Sequence, residues 1–337
     1  MHPGEPGAPS VAVVVEEPSQ VGEVRRAVAA LSGSLGFDET EAGRAGIVAT
    51  EAASNVLKHG RGGEVVVSAL TVGESVGIEV LAHDRGPGIP DVSKAAHGQS
   101  TRGTVSTGLG AMRRLSSLFE LYTLPGQGTV VLSRIWRIRA PPTSLELGAV
   151  CVAKPGETEC GDVWSVEPRP GGVRIVVADG LGHGPEAREA ALTALQATDA
   201  RPAGAARALE DAHVAARKTR GAAIAVAEVD VAAEEVRFAG LGNIAGVLLG
   251  PDRVQSMVSM NGTAGQGLLK PREFTYRFSP GTLLVMSSDG LISHWSLDSY
   301  PGLALRHPGV VAGVLYRDHS GRRDDVTVVA ARLGVRP

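Results

Sequence analysis

The sequence predicts an α/β (α+β) protein of two consecutive domains: a mixed α/β layer over residues 9–138, then a helix-flanked β-sandwich over residues 147–337. Three observations predict it. Strand-like apolar runs alternate with helix-periodic stretches in the first part, which is the pattern of a sheet with helices on it. Strand signals dominate the second part, interrupted by two alanine-rich helical stretches. Between them lies RIRAPPTSLE, where Pro141 and Pro142 disfavour continuing either a helix or a central strand, so residues 139–146 read as a linker. With 337 residues, 43% of them hydrophobic and 20% charged, each part can bury its own core and neither is apt for disorder.

Residues 1–8 read as an unstructured tail. VAVVVEE at Val11–Glu17 predicts a strand, and a helix follows from near Ser19. Asp38 with Glu41 three residues on has the spacing of a capping box, so a second helix should start there and run to about His59, ending at Gly60. Glu64–Val72 and Val76–His83 flank TVGES as a β-hairpin. After a long glycine-bearing loop come a helix over Leu109–Phe119 and strands at Glu120–Leu124 and Thr129–Ile138. In the second part, strands are expected at Leu147–Ala153, Asp162–Val166 and Val173–Ala178, then helices at Pro185–Ala197 and Ala203–Lys218. Further strands fall at Ala222–Val229, Glu235–Phe238, Ile244–Leu249, Phe274–Phe278, Thr282–Ser287 and Val326–Ala331.

Composition excludes several roles. A net charge of −3 favours neither nucleic acid nor an anionic membrane. No apolar run approaches the roughly 18 residues of a membrane span, and MHPGEPGAPS has no signal-peptide character, so the expected location is cytoplasmic. Cys151 and Cys160 are too few for a disulfide scaffold and read as reduced structural thiols.

On a helix, Glu51 and Asn55 project from one face, one turn apart. Such a carboxylate can deprotonate a hydroxyl, and such an amide oxygen can ligate Mg²⁺ bridging phosphate oxygens. Taken alone, the pair is better read as a polar surface stripe; two later segments change that. The strand ending IEVLAHD delivers Asp84 to DRGPGIP, where Gly86 and Gly88 let the backbone approach a ligand and Asp84 can accept from an adenine amino group. STRGTVSTGLGAMRRL then places Gly103, Gly108, Leu109 and Gly110 at a helix N-terminus, a natural seat for phosphate and a possible lid.

These segments, in this order, resemble the GHKL ATP-binding family, and within it the small anti-sigma serine kinases of the RsbT and RsbW type. EAASNVLKHG resembles the family's helix motif, with Glu51 in the catalytic-base position and Asn55 in the magnesium position; HDRGPGIP resembles its adenine loop, STGLGAMRRL its lid and GQGTVV its terminal box, with Thr129 near the adenine. The lid carries fewer glycines than the fullest versions. Arg113 and Arg114 are phosphate or partner contacts, or a solvated helix face.

Four separated aspartates mark the second part: Asp162 in CGDVW, Asp179 in VVADGLGHG, Asp289 in MSSDGL and Asp324 in RRDDVT. Carboxylates beside apolar strand residues are costly to desolvate unless a cation neutralises them, and a divalent metal pair is the simplest answer. Together with RGAAIAVAEVD and FAGLGNIAGVL, these segments resemble the SpoIIE and RsbX branch of the PPM-type serine/threonine phosphatases across residues 145–334. The resemblance implies a GHKL α/β sandwich followed by a PPM-type α-β-β-α sandwich. It further implies that Asp162, Asp179, Gly180, Asp289 and Asp324 hold two Mn²⁺ or Mg²⁺ ions, Asp179 bridging and catalytic, with Asp325 the neighbouring alternative to Asp324. Leu181 stands where many eukaryotic relatives have a histidine; His183 is a weak substitute and more simply a helix N-terminal residue. Asn243 and Asn261 shape a groove or are turn residues.

The implied function is a bifunctional regulator of a partner-switching, sigma-factor or stressosome pathway: an ATP-dependent serine/threonine kinase of a STAS-domain protein joined to a metal-dependent phosphatase. Two alternatives stand beside it, an anti-sigma factor that sequesters a sigma subunit, and a nucleotide-gated phosphatase without kinase activity. The expected cofactors are ATP, Mg²⁺ and Mn²⁺; the expected partners are a STAS-domain antagonist and, under the sequestration alternative, a sigma factor, with no nucleic acid and no membrane.

Overall fold

The computed structural model describes residues 10–72, 74–91, 107–138, 145–199, 204–268 and 270–334. The N-terminal tail, Gly103 and the Pro141–Pro142 pair lie outside them. The chain groups into two compact units, Ser10–Pro142 with Leu297–Arg317, and Thr143–Ser296 with Asp318–Pro337. The expectation of a second domain continuous over 147–337 thus meets a segment, Leu297–Arg317, that groups with the first part of the chain.

The first unit holds β1 (Val11–Val15), α1 (Pro18–Ser34), α2 (Glu39–His59), β2 (Gly63–Val72), β3 (Ser75–Asp84), α3 (Thr107–Leu115), β4 (Leu118–Leu124) and β5 (Gly128–Trp136). Its antiparallel sheet runs β1-β2-β3-β5-β4. Asp38 caps α2 reciprocally with Glu41, each side chain accepting the other's amide at 2.7 and 2.8 Å. Alternation along each strand sends Val65, Val67, Val80, Ala82, Val131 and Ile135 towards Val24, Val28, Val48, Ala52 and Val56 of the helices. The helix expected to reach Phe119 stops at Leu115: the Ser117 amide turns to the Arg134 carbonyl, and Leu118 and Phe119 pair with Arg134 and Ser133. Aromatic and β-branched residues in LFELYTL favour the strand.

The second unit contains β6 (Glu146–Val152), β7 (Asp162–Arg169), β8 (Gly172–Gly180), α4 (Pro185–Ala197), α5 (Ala205–Ala215), β9 (Ala222–Asp230) and β10 (Glu235–Leu241). It continues with β11 (Ala245–Leu249), β12 (Val254–Met257), β13 (Ser259–Met260), β14 (Phe274–Arg277), β15 (Leu283–Ser287) and β16 (Val326–Arg332). One sheet runs β13-β10-β9-β8-β7 with β14 on β10, the other β12-β11-β15-β16-β6. Residues including Trp164, Ile175, Val177, Phe238, Leu248, Met286 and Val329 form one buried cluster. On the other face of the first sheet, Val176, Ala178, Ile224 and Val226 meet Ala191, Ala194, Leu195, Leu209 and Ala212 of α4 and α5. The fold is therefore the expected α+β arrangement of antiparallel sheets covered by helices.

A last helix, α6 (Pro308–His319), was not anticipated. Its residues from Pro308 to Arg317 are all buried, so it has no polar face for periodicity to reveal. It covers the outer face of the first unit's sheet. Gly309 and Gly313 allow this approach: a Cβ at 309 would stand 2.8 Å from Leu132 Cδ2, and one at 313 would stand 2.9 Å from Leu81 Cδ1. Leu81, Val130 and Leu132 are 2%, 0% and 0% exposed, so β3 and β5 are buried on both faces and lack the apolar–polar alternation of a half-exposed strand. No helix among the described residues is long and apolar enough to cross a membrane.

Candidate functional site

In the first unit, Glu51 and Asn55 leave the same face of α2, with Ala52, Ala53 and Val56 turned to the core. The first turn of α3 rests on them. A Cβ at Gly108 would stand 2.7 Å from Glu51 Oε2 and 3.3 Å from Asn55 Oδ1, so only glycine fits there without displacing those side chains. Leu109 and Met112 anchor α3 in the core, and Gly110 is buried between them. Asn55 Nδ2 lies 3.9 Å from Met112 Sδ.

Asp84 ends β3 among glycines. A Cβ at Gly60 would come within 2.4 Å of Asp84 Cβ, one at Gly86 within 2.9 Å of Gly60 Cα, and one at Gly128 within 2.0 Å of the Asp84 carbonyl oxygen. The Gly86 amide donates to Asp84 Oδ1 at 2.8 Å, and the Thr129 amide also donates to this carboxylate. Burial raises the Asp84 pKa, opposed by the Gly86 amide, the Arg317 charge, the Thr129 amide and His83. Gly88, at φ +75°, lets the loop pass Leu124, where a Cβ would stand 2.5 Å from the carbonyl oxygen. Thr123 Oγ1 ties the wall together, accepting from the Ile89 amide at 3.0 Å and lying 3.1 Å from Thr129 Oγ1. Gly60 and Gly128 stand within the quoted EAASNVLKHG and GQGTVV motifs, although their packing against Asp84 was not read from them; Thr123 carries no local signal.

In the second unit the aspartates come from strand ends. Antiparallel pairing sets Asp162 at the start of β7 directly opposite Asp179 near the end of β8, a like-charge pair that a sheet disfavours. Asp289 follows β15, and Asp324 and Asp325 precede β16, the neighbour of β15. Burial, then the charges of Asp162, Asp289, Asp324 and Asp325, push Asp179 up to about 9. Asp162 is fully buried and pushed up to about 7, chiefly by burial against a stabilising hydrogen bond from Ser288. Asp289 is raised by burial and Asp324, with Asn243 opposing.

Three of the four aspartate motifs carry a glycine for close packing. A Cβ at Gly180 would meet the Ala187 carbonyl oxygen at 1.8 Å, one at Gly161 would meet Asp325 Oδ2 at 2.7 Å, and one at Gly290 would meet the Asp325 carbonyl oxygen at 2.0 Å. Asp325 accepts from the amides of Lys154 at 2.8 Å and Gly161 at 2.9 Å, while exposed Asp324 accepts from the Asp325 amide at 3.0 Å. Ser288 donates to Asp162 Oδ2 at 2.6 Å and accepts from the Thr327 amide at 2.9 Å. Among the described residues, no three His, Cys, Asp or Glu side chains are drawn closely enough to hold an ion as they stand. The donor set nevertheless suits one. Asp162 Oδ1 is buried without a partner, and mutually repelling carboxylates are the hard oxygen ligands that Mg²⁺ and Mn²⁺ take.

His183 is half-exposed and pairs with Glu157 at 2.7 Å near the start of α4. Asn243 donates to Asp289 rather than only closing a turn. Cys151 and Cys160 are buried thiols with sulfurs 3.6 Å apart, and Cys160 is pushed well above the usual thiol range by its contact with Cys151 and by burial.

Residues 14–135 match the model of the histidine kinase-like ATPase domain, and residues 169–334 match that of stage II sporulation protein E. The serine/threonine-protein kinase RsbT of Bacillus subtilis (strain 168) is 31% identical over 103 residues, 30% of this chain and 77% of RsbT. A chain solved for work on the bacterial stressosome, described as a modular system adapted to control secondary messenger signalling, superposes with a TM-score of 0.52 at 28% identity, over 56% of this chain and 100% of that one. RsbX in complex with magnesium superposes with a TM-score of 0.51 at 18% identity, over 58% of this chain and 98% of RsbX, so the two share a fold. The chain therefore belongs to the RsbT family through a GHKL-like first domain, to which a SpoIIE-type domain of PPM phosphatase fold is joined.

Proposed function

We propose that this chain both adds and removes phosphate on serine or threonine of STAS-domain antagonist proteins in a partner-switching pathway. The observation that carries the reading is the pairing, in one chain, of a glycine-walled Asp84 and a Glu51–Asn55 pair under Gly108 with a second group of aspartates gathered at strand ends.

In the kinase reaction, Asp84 accepts from the adenine amino group and Thr129 lies against the base. Glu51 takes the proton of the attacking hydroxyl, Asn55 would hold the magnesium of MgATP, and the amides around Gly108, Leu109 and Gly110 receive the phosphates. In the phosphatase reaction, Asp162, Asp179, Asp289 and Asp324, with the Gly180 carbonyl, would hold the divalent ions. Bound there, Mn²⁺ or Mg²⁺ would supply charge neutralisation and an acidified water for attack on phosphorus. Ser288 orients Asp162, Asn243 orients Asp289, and Asp325 fixes the Lys154–Gly161 loop so that Asp324 is the freer carboxylate.

Purified protein incubated with candidate STAS proteins tests this: phosphate gain is followed with MgATP, and phosphate loss with Mn²⁺ and no nucleotide. Glu51→Gln should abolish gain and spare loss, and Asp179→Asn should do the reverse. A Glu51→Gln protein that still transfers phosphate refutes the kinase assignment. Capture of a sigma factor with neither activity on any STAS protein would favour sequestration instead.

A further inference from the structure

Arg317 ends the segment that groups with the first unit, and it stands at the nucleotide wall although the sequence places it between Asp289 and Asp324. It is 2% exposed, and its Nη1 donates to the Asp84 carbonyl at 3.3 Å. The guanidinium of Arg85, the next residue of the loop, donates back to the Arg317 carbonyl. Helix end and loop start are thus tied in both directions. The anchor is itself held: Tyr316 donates to Glu64 at 2.9 Å and packs edge-on to His83 with ring centroids 5.5 Å apart. Upstream, Tyr122 donates to the Pro301 carbonyl at 3.2 Å and Arg306 lies 3.7 Å from Glu120.

We propose that Arg317 is a positioning residue of the nucleotide pocket, fixing the first turn of the Asp84 loop and holding a buried positive charge beside the carboxylate that receives the purine amino group. The proposal rests on reading Asp84 as that acceptor. The charged and polar groups facing Asp84 are the Gly86 and Thr129 amides, Arg317 and His83. Burial alone would keep Asp84 protonated further up the pH scale, and Arg317 opposes this. An ionised carboxylate accepts from an amino group more strongly than the protonated acid, so losing the guanidinium should move the acid-side weakening of nucleotide binding to higher pH.

The test measures binding of a fluorescent ATP analogue with Mg²⁺ to the full chain, from about pH 5 to about pH 9. Arg317→Gln should weaken binding about tenfold, as for loss of a charge-assisted hydrogen bond, and shift the acid limb upward. Arg317→Lys keeps the charge without the planar fork, so it should lose affinity while its acid limb stays at the parental position. Parental affinity and limb in Arg317→Gln, or equal weakening in both variants with no shift, would overturn the proposal. Should Arg317→Gln fail to show a folded thermal transition, Arg317→Lys decides alone, parental affinity overturning it. Asp84→Asn separates the two readings: unchanged binding there removes the acceptor assignment, whereas lost binding with a silent Arg317→Gln removes only the role of Arg317.

Discussion

Replacing Asp179 by asparagine should stabilise the ion-free protein while ending phosphatase turnover. The Asp179 carboxyl lies at about 9 against an ordinary 3.8, because it is buried opposite Asp162 and faces Asp289, Asp324 and Asp325. A carboxyl raised in the folded state costs nothing while protonated in both states. Stability is then lost as pH climbs from about 4, where the unfolded group ionises, towards about 9. At 1.36 kcal/mol per pH unit, this reaches roughly 5 kcal/mol by about pH 8. The neighbouring carboxylates share that cost, and a buried amide lacking full hydrogen bonding returns about 1–3 kcal/mol of it. A net gain of about 2 kcal/mol for Asp179→Asn follows, or about 4–8 °C in the unfolding midpoint of a domain this size. Thermal unfolding in chelator near pH 8 and near pH 5 measures it, with the gap shrinking on the acid side. Added Mn²⁺ or Mg²⁺ should raise the parental midpoint and leave the variant unmoved. A variant less stable than the parent near pH 8 in chelator, or a gap independent of pH, would refute the reasoning.

Asp324→Asn should lose phosphatase turnover with little change in unfolding midpoint. Asp325→Asn should instead destabilise the domain by about 1–3 kcal/mol, because two loop amides lose a charged acceptor; equal midpoints in the two variants would contradict this division. Gly108→Ala should weaken nucleotide binding in titration, since its Cβ must displace Glu51 Oε2 from 2.7 Å; parental affinity would show that the first turn of α3 yields freely. Gly313→Val should destabilise the first unit by about 1–3 kcal/mol through overpacking against Leu81 and Val130, even though valine is the better helix former; a raised unfolding midpoint would show that propensity outweighs packing.

Local signals carried much of the fold in the sequence. Asp38 with Glu41 marked the start of α2, and polar punctuation around apolar runs marked the strands of both units. What stayed hidden depended on distant contacts. α6 left no periodic trace because the residues from Pro308 to Arg317 are buried all round, yet TVVLSRIW in β5, apolar on both faces apart from Ser133 and the ion-paired Arg134, was a sign that both sheet faces needed a cover. The glycines beside the aspartates were visible, but not their reason, which lies in Ala187 and Asp325 passing within a Cβ's reach. Arg317 was illegible for the same cause, since its partner Asp84 lies 233 residues away. The difference between Asp324 and Asp325 also needed coordinates, because only the Lys154 and Gly161 amides reveal which carboxylate is already engaged.

The excursion of Leu297–Arg317 into the first unit makes the order of the chain interleaved and not sequential. A single cut at Pro142 therefore does not free an intact first domain. It strips Leu81, Val130 and Leu132 of their cover and leaves greasy β3 and β5 open to self-association. Transplanting either activity into another protein requires two crossover points, and recombination at the proline-rich joint alone would yield two damaged halves.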